Sequence, residues 1–254
     1  KEKVLKELPP KLFRDADLDL APEQRDTYQT AENEAVVQLT RMGDAVTIQH
    51  VFQLISHLKQ ICNFDPATGQ SSKLERLAAD LEEVAASGQK AIVFSQWVRT
   101  LTTLARRLVG FGPLEYHGQV PSRRRDAVVE QFKNDPDCRV LFISYGAGGV
   151  GLNLQFAGYV FLFDRWWNPA IERQAEDRAH RMGQERVVLV TRLVMSDTIE
   201  ERIHRVLEAK QELFDRFVSG DQWEKSGRGT LSDGDYFELV GLDPALAKVR
   251  RPRS

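Results

Sequence analysis

The chain has 254 residues, 35 Lys and Arg against 37 Asp and Glu, 42% hydrophobic and 28% charged content, and only two cysteines. Such a composition supports a full apolar core in one large domain or two modest ones, which excludes wholesale disorder. Cys62 and Cys138 are too few and too far apart for a disulfide framework or a four-ligand zinc site. No stretch approaches the roughly 18 apolar residues of a membrane helix, and KEKVLKELPPK lacks the apolar core of a signal peptide, so a soluble intracellular protein is expected.

Residues 1–70 read as an approach segment followed by two helices. Pro22 suits the first turn of one, which runs through good helix formers over 23–41. Val51, Leu54, Ile55 and Leu58 recur at helical spacing within Val46 to Ile61. NFDPATGQSS is a loop, and Ser72-Lys-Leu-Glu75 fits a capping box opening a helix over 73–87.

From Gln89 the period changes. Short apolar runs, Ala91 to Phe94, Leu114 to Tyr116, Val140 to Ile143, Tyr159 to Phe163 and Val187 to Val194, alternate with other elements. Amphipathic helices are expected over Val98 to Val109, Ser122 to Phe132, Pro169 to Met182 and Asp197 to Phe217. Continuous apolar runs mark strands buried on both faces, and their alternation with helices predicts an α/β domain over 71–218, a parallel sheet flanked by helices. Residues 219–254, rich in Gly, Ser and Asp, are expected to form a tail that docks partly.

A net charge of −2 carries no global sign of nucleic acid. Within 71–218, however, 17 of 21 basic residues are Arg, whose planar fork suits phosphate and carboxylate alike. A local basic surface can exist on a neutral protein, and so can ordinary surface salt bridging.

Ligands of such sheets sit beyond the carboxyl ends of the strands. The residues there are Ser95-Gln96-Trp97, His117-Gly118, Ser144 with the following glycines, and Asp164-Arg-Trp-Trp-Asn168. Gly146-Ala-Gly148-Gly-Val-Gly151 formally matches a dinucleotide fingerprint, which competes with a simple tight turn. Only Leu152 to Ala157 separate it from Gly158 and the next strand, whereas a returning helix needs roughly 11 residues. Asp164 also follows Gly151 too soon to be the ribose-binding acid.

Asn168 to Gln184 is the most informative segment. Asn168 suits an N-cap, Pro169 the first helical position and Gly183 a stop. At roughly 100° per residue, Gln174, Arg178 and Arg181 share one edge beside a stripe of Ile171, Ala175, Ala179 and Met182. From that edge two guanidinium groups can reach a ligand or a second domain, or else pair with Asp177 and Glu185 on the surface. No metal constellation, hydrolase triad, G-x-x-x-x-G-K-[ST] loop or strand-ending Asp-Glu pair occurs.

In order, Ser71-Ser-Lys-Leu, Lys90-Ala-Ile-Val-Phe-Ser-Gln96, Tyr116-His-Gly with Arg125 and Phe132, Ala147-Gly-Gly-Val-Gly-Leu-Asn-Leu154, Asp164-Arg-Trp-Trp-Asn-Pro-Ala170, Gln174 to Gln184 and Thr198-Ile-Glu-Glu-Arg-Ile203 form a specific set. With it, residues 71–218 resemble the carboxyl-terminal RecA-like lobe of the Swi/Snf-type ATPases of helicase superfamily two. Leu18 to Tyr28 and Lys59-Gln-Ile-Cys-Asn63 resemble the helical insertion before that lobe, which assigns 1–70 to the insertion and 219–254 to a tail or brace.

The resemblance implies half of a DNA-stimulated ATPase, a translocase or remodeller of duplex DNA. ATP and Mg2+ would be held mainly by the amino-terminal lobe, where the phosphate loop and acidic pair belong, so this chain alone is expected to be inactive. It further implies arginine fingers at Arg178 and Arg181, nucleotide contacts at Gly151, Asn153 and Gln174, and DNA contacts at Ser95, Gln96, Arg125, Ser144 and Trp167. Many relatives carry Lys or Arg where Gly146 stands. Partners would be double-stranded DNA, the amino-terminal lobe and a protein target on DNA, in the cytoplasm at the nucleoid or in the nucleus. The alternative is a non-catalytic DNA- or protein-binding module derived from such a lobe.

Overall fold

The structure is a computed structural model and describes residues 8–147, 152–166, 168–217 and 231–244. The chain divides into two compact units. One comprises Lys1–Ala16, Lys73–Trp166 and Ile171–Leu193, the other Asp17–Ser72, Trp167–Ala170 and Val194–Ser254.

The first unit is organised by a sheet of six strands in the order β1-β6-β5-β2-β4-β3. These are β1 (Lys11–Leu18), β2 (Ala91–Ser95), β3 (Leu114–Tyr116), β4 (Val140–Ser144), β5 (Tyr159–Leu162) and β6 (Val188–Met195). β2 and β4 are buried at every position, as runs such as AIVFS and VLFIS require when helices cover both faces. Both neighbours of β2 run parallel to it, with Ser95 opposite Ser144 and Phe94 opposite Leu162. The five predicted runs agree with the observed strands to within a residue or so at each end.

β1 is an edge strand that the sequence reading does not anticipate. Val188 N–H donates to the Pro10 carbonyl at 3.3 Å, and Ser196 N–H to that of Leu18 at 2.8 Å, so the residue numbers climb together in a parallel pairing. Its sequence, KLFRDADL, interleaves charges with apolar residues and buries only Ala16 fully. An edge strand needs no continuous apolar run, which hides it from a reading based on such runs.

Ile92, Phe94, Leu141, Ile143, Leu154, Val160, Leu162 and Val190 form the core of this unit, joined by Phe132, Ala175 and Ala179. Helices α3 (Ser72–Ala86), α4 (Val98–Arg107), α5 (Ser122–Asn134) and α6 (Pro169–Glu176) alternate with the strands.

The second unit is helical, with α1 (Pro22–Met42), α2 (Ile48–Asn63), α7 (Ile199–Phe217) and α8 (Asp233–Leu239). Pro22 occupies the first turn of α1, where its missing N–H has no helical partner to lose. Tyr28, Leu54, Ile55, Leu58, Ile61, Ile199, Ile203 and Phe237 pack together. The Tyr28 hydroxyl accepts the Ile199 N–H at 2.7 Å, satisfying an orphan donor at the start of α7. Within the segment expected to dock, Ser232 and Asp235 cap α8 reciprocally, and Tyr236, Phe237 and Leu239 are buried. No helix among the described residues is long and apolar enough to cross a membrane.

Candidate functional site

The carboxyl ends of β2, β4 and β5 are tied together by Asp164, which lies two residues beyond β5. Its carboxylate accepts the Ser95 hydroxyl at 2.5 Å and the Gln96 N–H at 2.9 Å, while its carbonyl accepts the Tyr145 hydroxyl at 2.9 Å. Burial, then the nearby Glu172 and Asp164 carboxylates, push the Tyr145 phenol well above 10, so it remains a donor. Below the same edge, the buried Lys73 of α3 donates to the Phe163 carbonyl at 2.7 Å. A further knot follows at once. Arg165 and Glu172, both buried, form a forked ion pair, and the Trp166 N–H donates to the same carboxylate at 2.6 Å.

The predicted DNA-facing residues spread along this edge in the order of the strands. Arg125, in the first turn of α5, closes the loop after β3 by donating to the Val120 and Gly118 carbonyls at 3.0 and 3.3 Å. Its guanidinium lies 5.8 Å from the Tyr116 ring centroid. Ser144 ends β4, 8% exposed. Gln96, half-buried, donates its side-chain amide to the Arg165 carbonyl.

Ser95 sits deeper than the other three. Its side chain is fully buried and its hydroxyl is engaged by Asp164, so it holds the edge together from inside and presents no side-chain donor outward. Trp167 and Gly151 lie outside the described residues. Trp166 is half-buried against the core, its ring centroid 5.4 Å from that of Tyr145, and is thus a packing residue.

The arginine segment departs from its predicted geometry. α6 ends at Glu176, six residues before the expected Met182. Arg178 N–H and Ala179 N–H bond to carbonyls three residues back, at 3.2 and 3.1 Å, which tightens the backbone into a turn. Leu154 N–H, donating to the Arg178 carbonyl at 3.1 Å, takes an acceptor that a continuing helix would need for itself. The shared helical edge of Gln174, Arg178 and Arg181 is therefore replaced by a helix followed by turns. Gln174 is exposed on α6, Arg178 is 5% exposed, Arg181 is exposed, and Met182 stands 80% exposed outside the predicted stripe. Ile171, Ala175 and Ala179 do face the core. Asn168 Oδ1 accepts the Ala170 N–H at 2.9 Å, as an N-cap should.

The Leu154 to Arg178 bond also brings the exposed Asn153 beside the arginine turn. Gln184 secures the far end, donating to the Ala157 and Ala179 carbonyls at 3.1 and 3.2 Å. Burial, and then the charge of Arg181, lower the Arg178 guanidinium below its ordinary value, against the opposing pull of Asp177. Two guanidinium groups thus repel each other at one place, an arrangement that an anionic ligand would relieve. Tetrahedral phosphate oxygens suit such a donor set.

Residues 47–183 match the family described as "Helicase conserved C-terminal domain". An uncharacterized ATP-dependent helicase of Mycoplasma pneumoniae is 34% identical over 229 residues, covering 87% of this chain and 22% of that protein. Among solved structures, the SWI2/SNF2 ATPase C-terminal domain of Sulfolobus solfataricus superposes with a TM-score of 0.67 at 26% identity, covering 92% of this chain and 99% of that one. The Sulfolobus solfataricus SWI2/SNF2 ATPase core in complex with dsDNA superposes with a TM-score of 0.70 at 29% identity, over 92% of this chain and 51% of that one. The chain spans about a quarter of the length of the curated relatives that it matches over most of itself.

Proposed function

Because this chain belongs to the helicase C-terminal domain family, as a C-terminal RecA-like lobe of the Swi2/Snf2 type, we propose that it is the second motor lobe of an ATP-dependent duplex-DNA translocase. In this reading Arg178 and Arg181 face the phosphates of ATP held mainly, with its Mg2+, by an amino-terminal lobe. Bound ATP supplies the phosphoryl group whose transfer to water drives the motor. The two guanidiniums neutralise the charge that develops there, and Asn153 and Gln174 orient the nucleotide from the same side.

Ser144, Gln96 and Arg125 line the DNA side, with Gly151 and Trp167 retained as nucleotide and DNA contacts by the motif alone. Contacts to phosphates fix register without reading sequence, as movement along arbitrary DNA requires. The observation that carries this reading is the arginine turn. A mostly buried Arg178 is held beside a second guanidinium, with its backbone stitched to the segment that presents Asn153.

The test is duplex-stimulated ATP turnover by the full-length two-lobe protein with Arg178→Ala. Turnover is expected to fall by about a thousandfold while ATP and DNA binding are retained. Unchanged turnover would remove the finger role and favour the non-catalytic binding module instead.

A further inference from the structure

The arginine turn is short, follows the end of its helix, and must hold a guanidinium in one place. Its restraints come from a distant part of the chain. The Lys11 ammonium, at the start of β1, lies 3.0 Å from a Glu176 carboxylate oxygen and 2.9 Å from one of Asp177. These are the two residues immediately before Arg178. Two residues after it, the His180 ring donates to the Pro9 carbonyl at 2.7 Å. Next along the strand, the Pro10 carbonyl accepts the Val188 N–H, which anchors the segment to the sheet.

We infer that Lys11 is a positioning residue for the arginine fingers: with Pro9, it clamps the turn on both sides of Arg178 and fixes the direction in which that guanidinium leaves the backbone. The inference rests on the assignment of Arg178 above. Glu176 is 2% exposed, so its bond to Lys11 is an interior contact, unlike the common surface pair. Burial pulls the Lys11 pKa down, but Glu176 and Asp177 outweigh it and raise the group above 10.5, which keeps the ammonium charged, while burial raises the Glu176 carboxyl against the pull of Lys11. Glu172 and Arg192 are the other charged groups that act on Glu176, and Arg192 is held by Asp15 of the same strand. A swing of a fingertip by about 1 Å is enough to cost a large part of a positioned group's catalytic effect.

The experiment uses the full-length protein with Lys11→Met, which keeps the stem and removes the charge, and Lys11→Arg, which keeps the charge. Lys11→Met is expected to lower kcat about tenfold with KM for ATP and DNA affinity changed less than about twofold, and Lys11→Arg to restore most of the loss. Asp177→Asn, at an exposed carboxylate, weakens the same clamp without threatening the core and should lower kcat in the same manner by a smaller factor.

In an Arg178→Ala background, Lys11→Met should have no further effect, because it acts through Arg178. Equal loss in both backgrounds would overturn the inference, as would unchanged kcat in both Lys11→Met and Asp177→Asn. If Arg178→Ala itself leaves turnover intact, it is the parent assignment that fails. If Arg178→Ala abolishes turnover but neither clamp variant moves kcat, the clamp alone fails.

Discussion

Arg165 and Glu172 meet in a two-point contact, with Nε of Arg165 at 2.9 and 3.0 Å from the two carboxylate oxygens and Nη2 at 2.9 Å, and neither side chain is more than 5% exposed. The pair joins the strand-ending loop to α6, the helix that leads into the arginine turn. Replacing one partner takes the paired opposite charge from a buried group, so Glu172→Gln is expected to destabilise the chain by about 3 kcal/mol. Urea unfolding checks this. A double replacement, Arg165→Met with Glu172→Leu, should cost less than the single one, and equal or greater cost would show that the pair's packing outweighs its charge.

Ser95 gives a second prediction, because its place in the interior separates two roles. Ser95→Ala removes a buried donor to Asp164 and the acceptor of the Trp97 N–H, which should cost about 1–3 kcal/mol. Duplex affinity, measured by fluorescence anisotropy on the folded variant, should stay within about twofold. A larger loss of affinity would restore Ser95 to the DNA contacts.

Gly146 is exposed, has no positive φ, and a Cβ built there meets nothing within 4 Å. A long basic side chain therefore fits without strain beside the end of β4. Gly146→Lys should tighten duplex binding and steepen its dependence on log salt by about 0.9, the signature of one added phosphate contact. An unchanged slope would place Gly146 away from the DNA.

Asp65 supplies a pH prediction. Burial by itself raises its carboxyl, but the hydroxyl and N–H of Thr68, at 2.6 and 2.8 Å, outweigh that and hold the group below 3.8. A carboxyl lowered by folding contributes stability above its unfolded pKa and loses it as the pH falls through the folded one. Asp65→Asn should therefore destabilise by about 1 kcal/mol near neutrality, with the gap to wild type closing as the pH falls through the lowered folded pKa. A gap that persisted in acid would assign the effect to the turn's shape rather than its charge.

The Asp164 knot and the Lys11 clamp illustrate why much of the candidate site was illegible in the sequence. Ser95 and Asp164 are 69 positions apart, and Lys11 and Glu176 are 165 apart. Each residue alone is an ordinary polar side chain near a strand end. No local period records that two of them share a hydrogen bond or a charge, nor that Lys73, within the Ser71-Ser-Lys-Leu motif, is buried and bonds to the Phe163 carbonyl. Lys11 gives no signal at all beyond lying on a half-polar stretch.

By itself the sequence determined five of the six strands, the helices between them, and the family, because burial on both faces imposes continuous apolar runs on the four inner strands and because seven motifs occur in one order. The tertiary structure decided where α6 stops and which way the arginines leave it. It also made β1 a strand and turned Ser95 inward. Those outcomes follow from competition for hydrogen bonds between segments far apart in the chain, as when Leu154 takes the Arg178 carbonyl, and such competition is settled only once the segments have been packed together.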